Sequence, residues 1–257
     1  MSSGPDQRPK AAAEGLTSDD FLGGRLRILQ PAKGFRAGLD AVMLAAAVPA
    51  RERQLVCDLG SGVGTAGLCV AARAGKIDLT AVDSDTRALE LAAQNAVRND
   101  VTSAFTSLEA DLQGRARSLP RQHFHHVLTN PPFHDGARGT AAPDARTSAA
   151  LTIAGPDLFH WLRLARAITR PRGTVTAILP PAQLGLALSA LSANGDGVAV
   201  FPLWPAQGVP AKRLIIRAQM NSRAPLVMNQ GLVLHRADGR PTAEAEAILR
   251  HAGALST

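Results

Sequence analysis

Asn130, Pro131, Pro132 and Phe133 stand together behind the apolar run His126-Val127-Leu128, and their types suit one kind of chemistry. Two consecutive prolines lock φ and remove two backbone N–H donors. The turn is therefore rigid, with outward carbonyls beside the side-chain oxygen of Asn130. Two neighbouring acceptors match the two hydrogens of an exocyclic amino group, and Phe133 offers a flat face on which a planar ring can stack. The preceding run reads as a buried strand. Open α/β sheets bind ligands beyond the carboxyl ends of such strands.

A second constellation is Cys57-Asp58-Leu59-Gly60-Ser61-Gly62-Val63-Gly64, behind the apolar lead Gln54-Leu55-Val56. Its glycines let the backbone approach a ligand closely, and a helix over about 65–73 points its N-terminus at that ligand. Two registers fit. Gly62 to Gly67 matches the Gly-x-Gly-x-x-Gly dinucleotide fingerprint. Asp58 with Gly60, Gly62 and Gly64 instead makes Asp-x-Gly-x-Gly-x-Gly, in which a carboxylate suits a cationic ligand. Asp78 to Asp83 reads as the next strand, ending in an acid able to accept two ribose hydroxyls, a role common to both registers. Asp85 reads as the cap of a helix over about 86–98, whose apolar residues Ala88, Leu89, Ala92, Ala93, Ala96 and Val97 recur at helical spacing.

Taken together, these motifs resemble those of class I S-adenosylmethionine-dependent methyltransferases, whose (Asn/Asp)-Pro-Pro-(Tyr/Phe) signature serves planar amino groups. The resemblance to the bacterial tRNA (adenine-N6) methyltransferases of the small-domain superfamily runs from about Phe21 to Leu255. It includes Gly34-Phe35-Arg36 leading to Asp40-Ala41-Val42-Met43-Leu44-Ala45, Pro210-Ala211-Lys212-Arg213, and a closing strand and helix over about 232–249. It implies that Asn130, Pro131, Pro132 and Phe133 hold the target amine. It also implies that Asp58, Gly60, Gly62, Gly64, Asp83 and Asp111 bind S-adenosyl-L-methionine, Asp111 through the adenine amino group, with Phe35 and Arg36 lying over the cofactor. The partner implied is RNA, a tRNA before others. One region departs: His134 after Phe133 is closer to rRNA (guanine-N2) methyltransferases, and Arg146-Thr147-Ser148 stands where the tRNA enzymes often carry Arg-His-Glu. Guanine N2 in rRNA and a protein glutamine therefore remain as targets. A nicotinamide-dependent oxidoreductase, resting on Gly62 to Gly67, and an RNA-binding protein without turnover are the readings from other classes.

Positioning these residues requires a strand before each motif and a helix after it. Strands and helices alternate from Gln54 to Asn194, which predicts an α/β fold with a parallel sheet and helices on both faces; the resemblance implies that the sheet is Rossmann-like, mostly parallel and seven-stranded. Strands near 198–203 and 213–220 would close it as a terminal antiparallel hairpin. Residues 1–18, rich in Ser, Gly, Pro, Ala and charge, read as a disordered tail. Residues 19–257 read as one domain, with 19–50 forming a hairpin over about 21–31 and a helix capped by Asp40, above the cofactor site. Residues 137–150 read as a loop over the substrate. No apolar run approaches a membrane span and no signal-peptide core precedes the domain, so the expected setting is cytoplasmic, without membrane. Cys57 and Cys69 read as reduced and buried, and no spacing suggests a metal. The chain is expected to act as a monomer. Of its 257 residues, 28 are Lys or Arg against 21 Asp or Glu, a net charge of +7 that favours polyanions. The basic residues gather in two clusters: Arg25, Arg27, Lys33 and Arg36 near the start, and Lys212, Arg213, Arg217 and Arg223 near the end.

Overall fold

A computed structural model describes residues 15–34, 36–112, 119–132, 155–192 and 196–255. Phe35, Phe133, His134 and the 137–150 segment named above lie outside the described residues. The chain opens with a two-stranded antiparallel hairpin, β1 (Leu16–Phe21) and β2 (Leu26–Pro31), joined through a 3-10 turn at Leu22–Gly24. The first strand thus lies upstream of the expected hairpin and begins inside the stretch expected to be tail. Leu16 and Phe21 give that stretch enough to bury against β2.

The main body alternates as the sequence pattern requires. In chain order come α1 (Leu39–Ala47), β3 (Leu55–Leu59), α2 (Thr65–Ala74), β4 (Ile77–Asp83), α3 (Thr86–Asn99), β5 (Thr102–Glu109) and β6 (Phe124–Thr129). There follow α4 (Gly155–Ile168), β7 (Thr169–Leu179), a 3-10 turn at Pro181–Gln183 and α5 (Leu184–Leu191). The chain closes with β8 (Gly197–Ala206), β9 (Arg213–Gln219), β10 (Val227–Met228), β11 (Leu232–His235) and α6 (Ala243–His251). Seven strands run in the order β5-β4-β3-β6-β7-β9-β8, with β9 antiparallel to both neighbours and the others parallel. The expected seven-stranded sheet and its reversed hairpin are therefore present. Short β10 and β11 extend it as parallel additions to β8.

Successive residues of each strand face opposite sides, and the core divides accordingly. Val56, Leu128, Ile178, Phe201 and Ile215 pack with the hairpin, α1, α2 and α6. Cys57, Leu59, Val127, Val175 and Ile216 pack with α4 and α5. In α1, Ala41 through Ala47 are all buried; a helix apolar on every side belongs inside. Asp40 is not its cap. Gly38 holds that position without a side-chain bond, and the Asp40 carboxylate instead accepts from Arg213 Nε of β9 at 2.9 Å. A nearby guanidinium competes successfully for an acid that the helix end would otherwise use.

β3 lies at the sheet's switch point, since the chain goes on through β4 and β5 on one side and β6 and β7 on the other. Register pairs Leu59 with Val82 and with Thr129, so the residues following β3, β4 and β6 emerge side by side at one edge. The hairpin is tied to that edge by Asn95 of α3, which is fully buried. Its Oδ1 accepts from Leu29 N–H (2.8 Å), and its Nδ2 donates to the carbonyls of Leu29 and Val63 (3.0 Å each). Asn95→Ala leaves three backbone groups without partners and should lower unfolding free energy by about 2–4 kcal/mol, read from the midpoint of a urea titration.

Candidate active site at the carboxyl edge of the sheet

The turn after β3 is built on glycines with left-handed backbone: φ is 75° at Gly60, 52° at Gly62 and 81° at Gly64. Gly60 is required twice over, because a Cβ there would sit 2.6 Å from Cζ2 of Trp161. Gly62 differs. A Cβ there would meet nothing within 4 Å, so this peptide faces open space that a ligand can enter. The turn is held by N–H bonds from Gly60 (2.8 Å) and Ser61 (3.0 Å) to the Val82 carbonyl of β4. All three left-handed glycines belong to the Asp-x-Gly-x-Gly-x-Gly register; Gly67, the last glycine of the dinucleotide register, lies inside α2.

The acids differ sharply in environment. Asp58 is 2% exposed, and its Oδ2 accepts from Gly67 N–H at 2.8 Å, pinning the first turn of α2 to the end of β3. Burial raises its pKa to about 7, against the opposing Gly67 hydrogen bond and with a smaller push from Asp83. Asp83 is half-buried at the end of β4 and accepts Gly62 N–H on Oδ2 (2.7 Å) and Asp85 N–H on Oδ1 (3.0 Å). Each of its oxygens keeps acceptor capacity for a further donor. Asp85 caps α3 as its sequence position predicts, accepting from the N–H groups of Arg87 (2.9 Å) and Ala88 (3.2 Å). Asp111 is exposed just beyond β5. Its neighbour Ala110 donates to the Asp83 carbonyl (2.9 Å), which brings both acids to the same edge.

Beside this turn, β6 delivers Asn130. The Thr129 hydroxyl donates to the Leu59 carbonyl (2.7 Å) and accepts from the Trp161 indole N–H (2.9 Å), all three groups being buried. Trp161, missed by the sequence reading, therefore bonds the Asn130 strand and packs against Gly60 at once. Its only signal was a tryptophan within a predicted amphipathic helix, where a core role is the ordinary assignment. The Oδ1 of Asn130 is buried and has no hydrogen-bond partner among the described residues. A buried acceptor without a donor costs roughly 1–3 kcal/mol, a cost removed when an N–H arrives. Pro131 is buried and Pro132 half-buried next to it.

Arg36, expected over the cofactor, is held by the hairpin. Its guanidinium pairs with Asp19 (2.5 Å) and donates to Thr17 Oγ1 (2.8 Å) and the Pro31 carbonyl (3.0 Å), which fastens its loop to the hairpin. Among the described residues no His, Cys, Asp and Glu cluster could hold a metal ion. Cys57 and Cys69 are buried and free; burial drives the Cys57 thiol well above its usual range and Cys69 to about 12, so both stay protonated. A cavity of about 1170 Å³ lies further along the same edge between β8, β11 and α6, lined by Trp204, Asn229 and Ile248 among others. It contains none of the acids above, so the chemistry is located by side chains and not by the size of the hollow.

The raised pKa of Asp58 has a definite sign. Its ordinary value is 3.8 and its folded value about 7, so its contribution to stability is fully present below the lower value and is lost as pH rises through the upper one. Stability should fall between about pH 4 and about pH 8 by up to about 4 kcal/mol through this group alone. Asp58→Asn should flatten that slope in denaturant titrations across the range.

Comparison with known proteins agrees with this layout. Residues 37–149 match the family model of the methyltransferase small domain. A tRNA1(Val) (adenine(37)-N6)-methyltransferase of Dickeya chrysanthemi is 31% identical over 147 residues, covering 56% of this chain and 56% of that one. The protein of the same name in Aeromonas hydrophila is 26% identical over 208 residues, covering 79% and 84%. The matched part is under two thirds of the length of the first relative and of those from Tolumonas auensis and Shewanella sediminis, at 65% each. A crystal structure described as a predicted O-methyltransferase of Agrobacterium tumefaciens superimposes with TM-score 0.68 at 28% identity, covering 85% of this chain and 99% of that one. Residues 37–149 are thus similar to a methyltransferase small domain, and they lie within a Rossmann-like, mostly parallel sheet.

Proposed function

We propose that this protein is an S-adenosylmethionine-dependent N-methyltransferase acting on an exocyclic amino group of a nucleic-acid base, adenine N6 in a tRNA before others. The observation that carries the reading is the buried, partnerless Oδ1 of Asn130 at the end of β6, next to a proline whose carbonyl is the second acceptor. The names of the relatives above support adenine and tRNA. An alcohol substrate, as in an O-methyltransferase, has one hydrogen to give and would leave one of these acceptors idle. A nicotinamide cofactor is disfavoured by the glycine register.

The residues fit the cofactor in three respects. Gly62 opens onto free space, Asp83 keeps acceptor capacity for ribose hydroxyls, and Asp111 stands nearby for an adenine amino group. Asp58 holds α2 so that its N-terminus stays aimed at the same space. When bound, S-adenosylmethionine supplies an electrophilic methyl on a sulfonium. The protein's part is then positional. A base turned out of its stack, at a cost of a few kcal/mol, gives its two N–H hydrogens to Asn130 Oδ1 and the Pro131 carbonyl. That fixes the nitrogen and directs its lone pair away from ring conjugation and toward the methyl. The proton leaves after the new N–C bond has made it acidic, so no strong base is required. Orientation of this kind supplies roughly 7–11 kcal/mol.

The test is transfer of labelled methyl into unmodified tRNA, rRNA and total protein, with mass analysis of the digested product. N6-methyladenosine in tRNA is the expected product; N2-methylguanosine in rRNA or methylglutamine would move the substrate and keep the site. Asn130→Ala should lower kcat by about 10²–10³ with cofactor affinity retained, and full turnover by that variant would sink the assignment. Asp83→Ala should weaken cofactor binding by about 10–100-fold, since hydrogen bonds to a charged group contribute about 1.5–3 kcal/mol, as read by calorimetry without RNA.

A further inference from the structure

Within the basic clusters singled out in the sequence, three arginines are ion-paired internally. Arg36 pairs with Asp19, Arg27 with Asp20 and Arg213 with Asp40. Arg217 is half-buried, donating to the Ala47 carbonyl (3.3 Å) with its guanidinium 5.5 Å from the centre of the Phe201 ring. Arg223, the last of the second cluster, instead joins arginines from other segments. A groove of about 470 Å³ is lined by Arg121, Arg163, Arg166 and Arg223, together with Gln122 and Asn221. It lies where β6 and β7 begin, β9 ends and α4 terminates, at the edge of the sheet opposite Asn130.

The one acid associated with this groove, Asp196, is turned inward. Its fully buried side chain accepts from Arg166 Nε (2.6 Å) and Asn221 N–H (2.8 Å). Arg121, Arg163 and Arg223 form no ion pair with any described residue. The C-terminal pole of α4 adds only about half a negative charge. More than two positive charges are thus left facing one narrow groove, where they repel each other unless an anion enters. Guanidinium groups present paired N–H donors whose geometry matches phosphate.

The six residues of β6 (Phe124–Thr129) separate the two edges by roughly 20 Å of strand. Several base pairs of an RNA duplex cover that distance. We propose that the Arg121–Arg163–Arg223 groove is a second RNA-docking site, which takes backbone phosphates of an arm of the substrate remote from the methylated base. This rests on the nucleic-acid reading of the active site. Recognition would then combine one base held at the carboxyl edge with a helical arm gripped at the opposite edge. A small domain could in this way favour a folded RNA over a loose strand with the same target.

The test compares the full chain with an R121Q/R163Q/R223Q variant. Both bind unmodified tRNA, and a hairpin of about five base pairs carrying the target base, across a salt series; the hairpin is too short to span both edges. For tRNA the variant should lose at least about tenfold in affinity, and its slope of log K against log salt should fall by about three, one per charge removed. The hairpin and S-adenosylmethionine should bind both proteins alike, which also shows that the variant is folded. An unchanged tRNA affinity and slope would overturn the proposal. So would tight binding of inorganic pyrophosphate to the unaltered protein combined with an unchanged tRNA slope, which would make the groove a small-anion site. Failure of the unaltered protein to bind any RNA would overturn the nucleic-acid reading itself, independently of the variant.

Discussion

One buried hydroxyl joins the two halves of the site. Thr129 donates to the carbonyl of Leu59 and accepts from the indole of Trp161, so the last residues of β3 and β6 are locked together and both are referred to α4. The same indole occupies the space that Gly60 leaves by lacking a Cβ. A strand end, a glycine turn and a helix thereby share one rigid contact. Cofactor and acceptor pockets must hold their geometry to a fraction of an ångström for positional catalysis, and a triad of buried, mutually satisfied groups provides such a frame. Every other feature of the edge is placed relative to it: Asp83 through Gly62, Asp111 through Ala110, and Asn130 as the very next residue.

A second constraint is electrostatic. Asp58, buried and close to Asp83, is energetically unfavourable as an anion, which is why its pKa rises. A cationic ligand beside these acids would favour their charged forms. The orphan acceptor of Asn130 repeats the pattern with a neutral group. Two kinds of destabilisation are thus concentrated at one edge. The arginine groove at the other edge is a third instance, since it crowds several cations together. Local conflict with the rules of stable folding is common where a protein binds something.

Much of this was legible in the chain before any coordinates. The alternation of apolar runs with helical patterns implied the parallel sheet, because βαβ units connect no other way. The Asp-x-Gly-x-Gly-x-Gly and Asn-Pro-Pro-Phe segments sat at strand ends because glycine and proline interrupt strands in characteristic places. Asp85 was readable as a cap from its local position alone. Asp40 was not, since its true partner, Arg213, lies far along the chain on β9. The pairing of Arg36 with Asp19 was not legible either, since the strand that carries Asp19 begins inside the stretch of tail-like composition.

The sequence by itself determined element types, their order, the strand ends that carry the chemistry and the sign of the overall charge. Each of these depends on residues near one another in the chain. Tertiary structure alone decided which charges survive pairing, which polar atoms end up buried without partners, and that Trp161, Thr129 and Gly60 meet. Those outcomes depend on contacts between distant segments, and composition and periodicity carry no record of who meets whom.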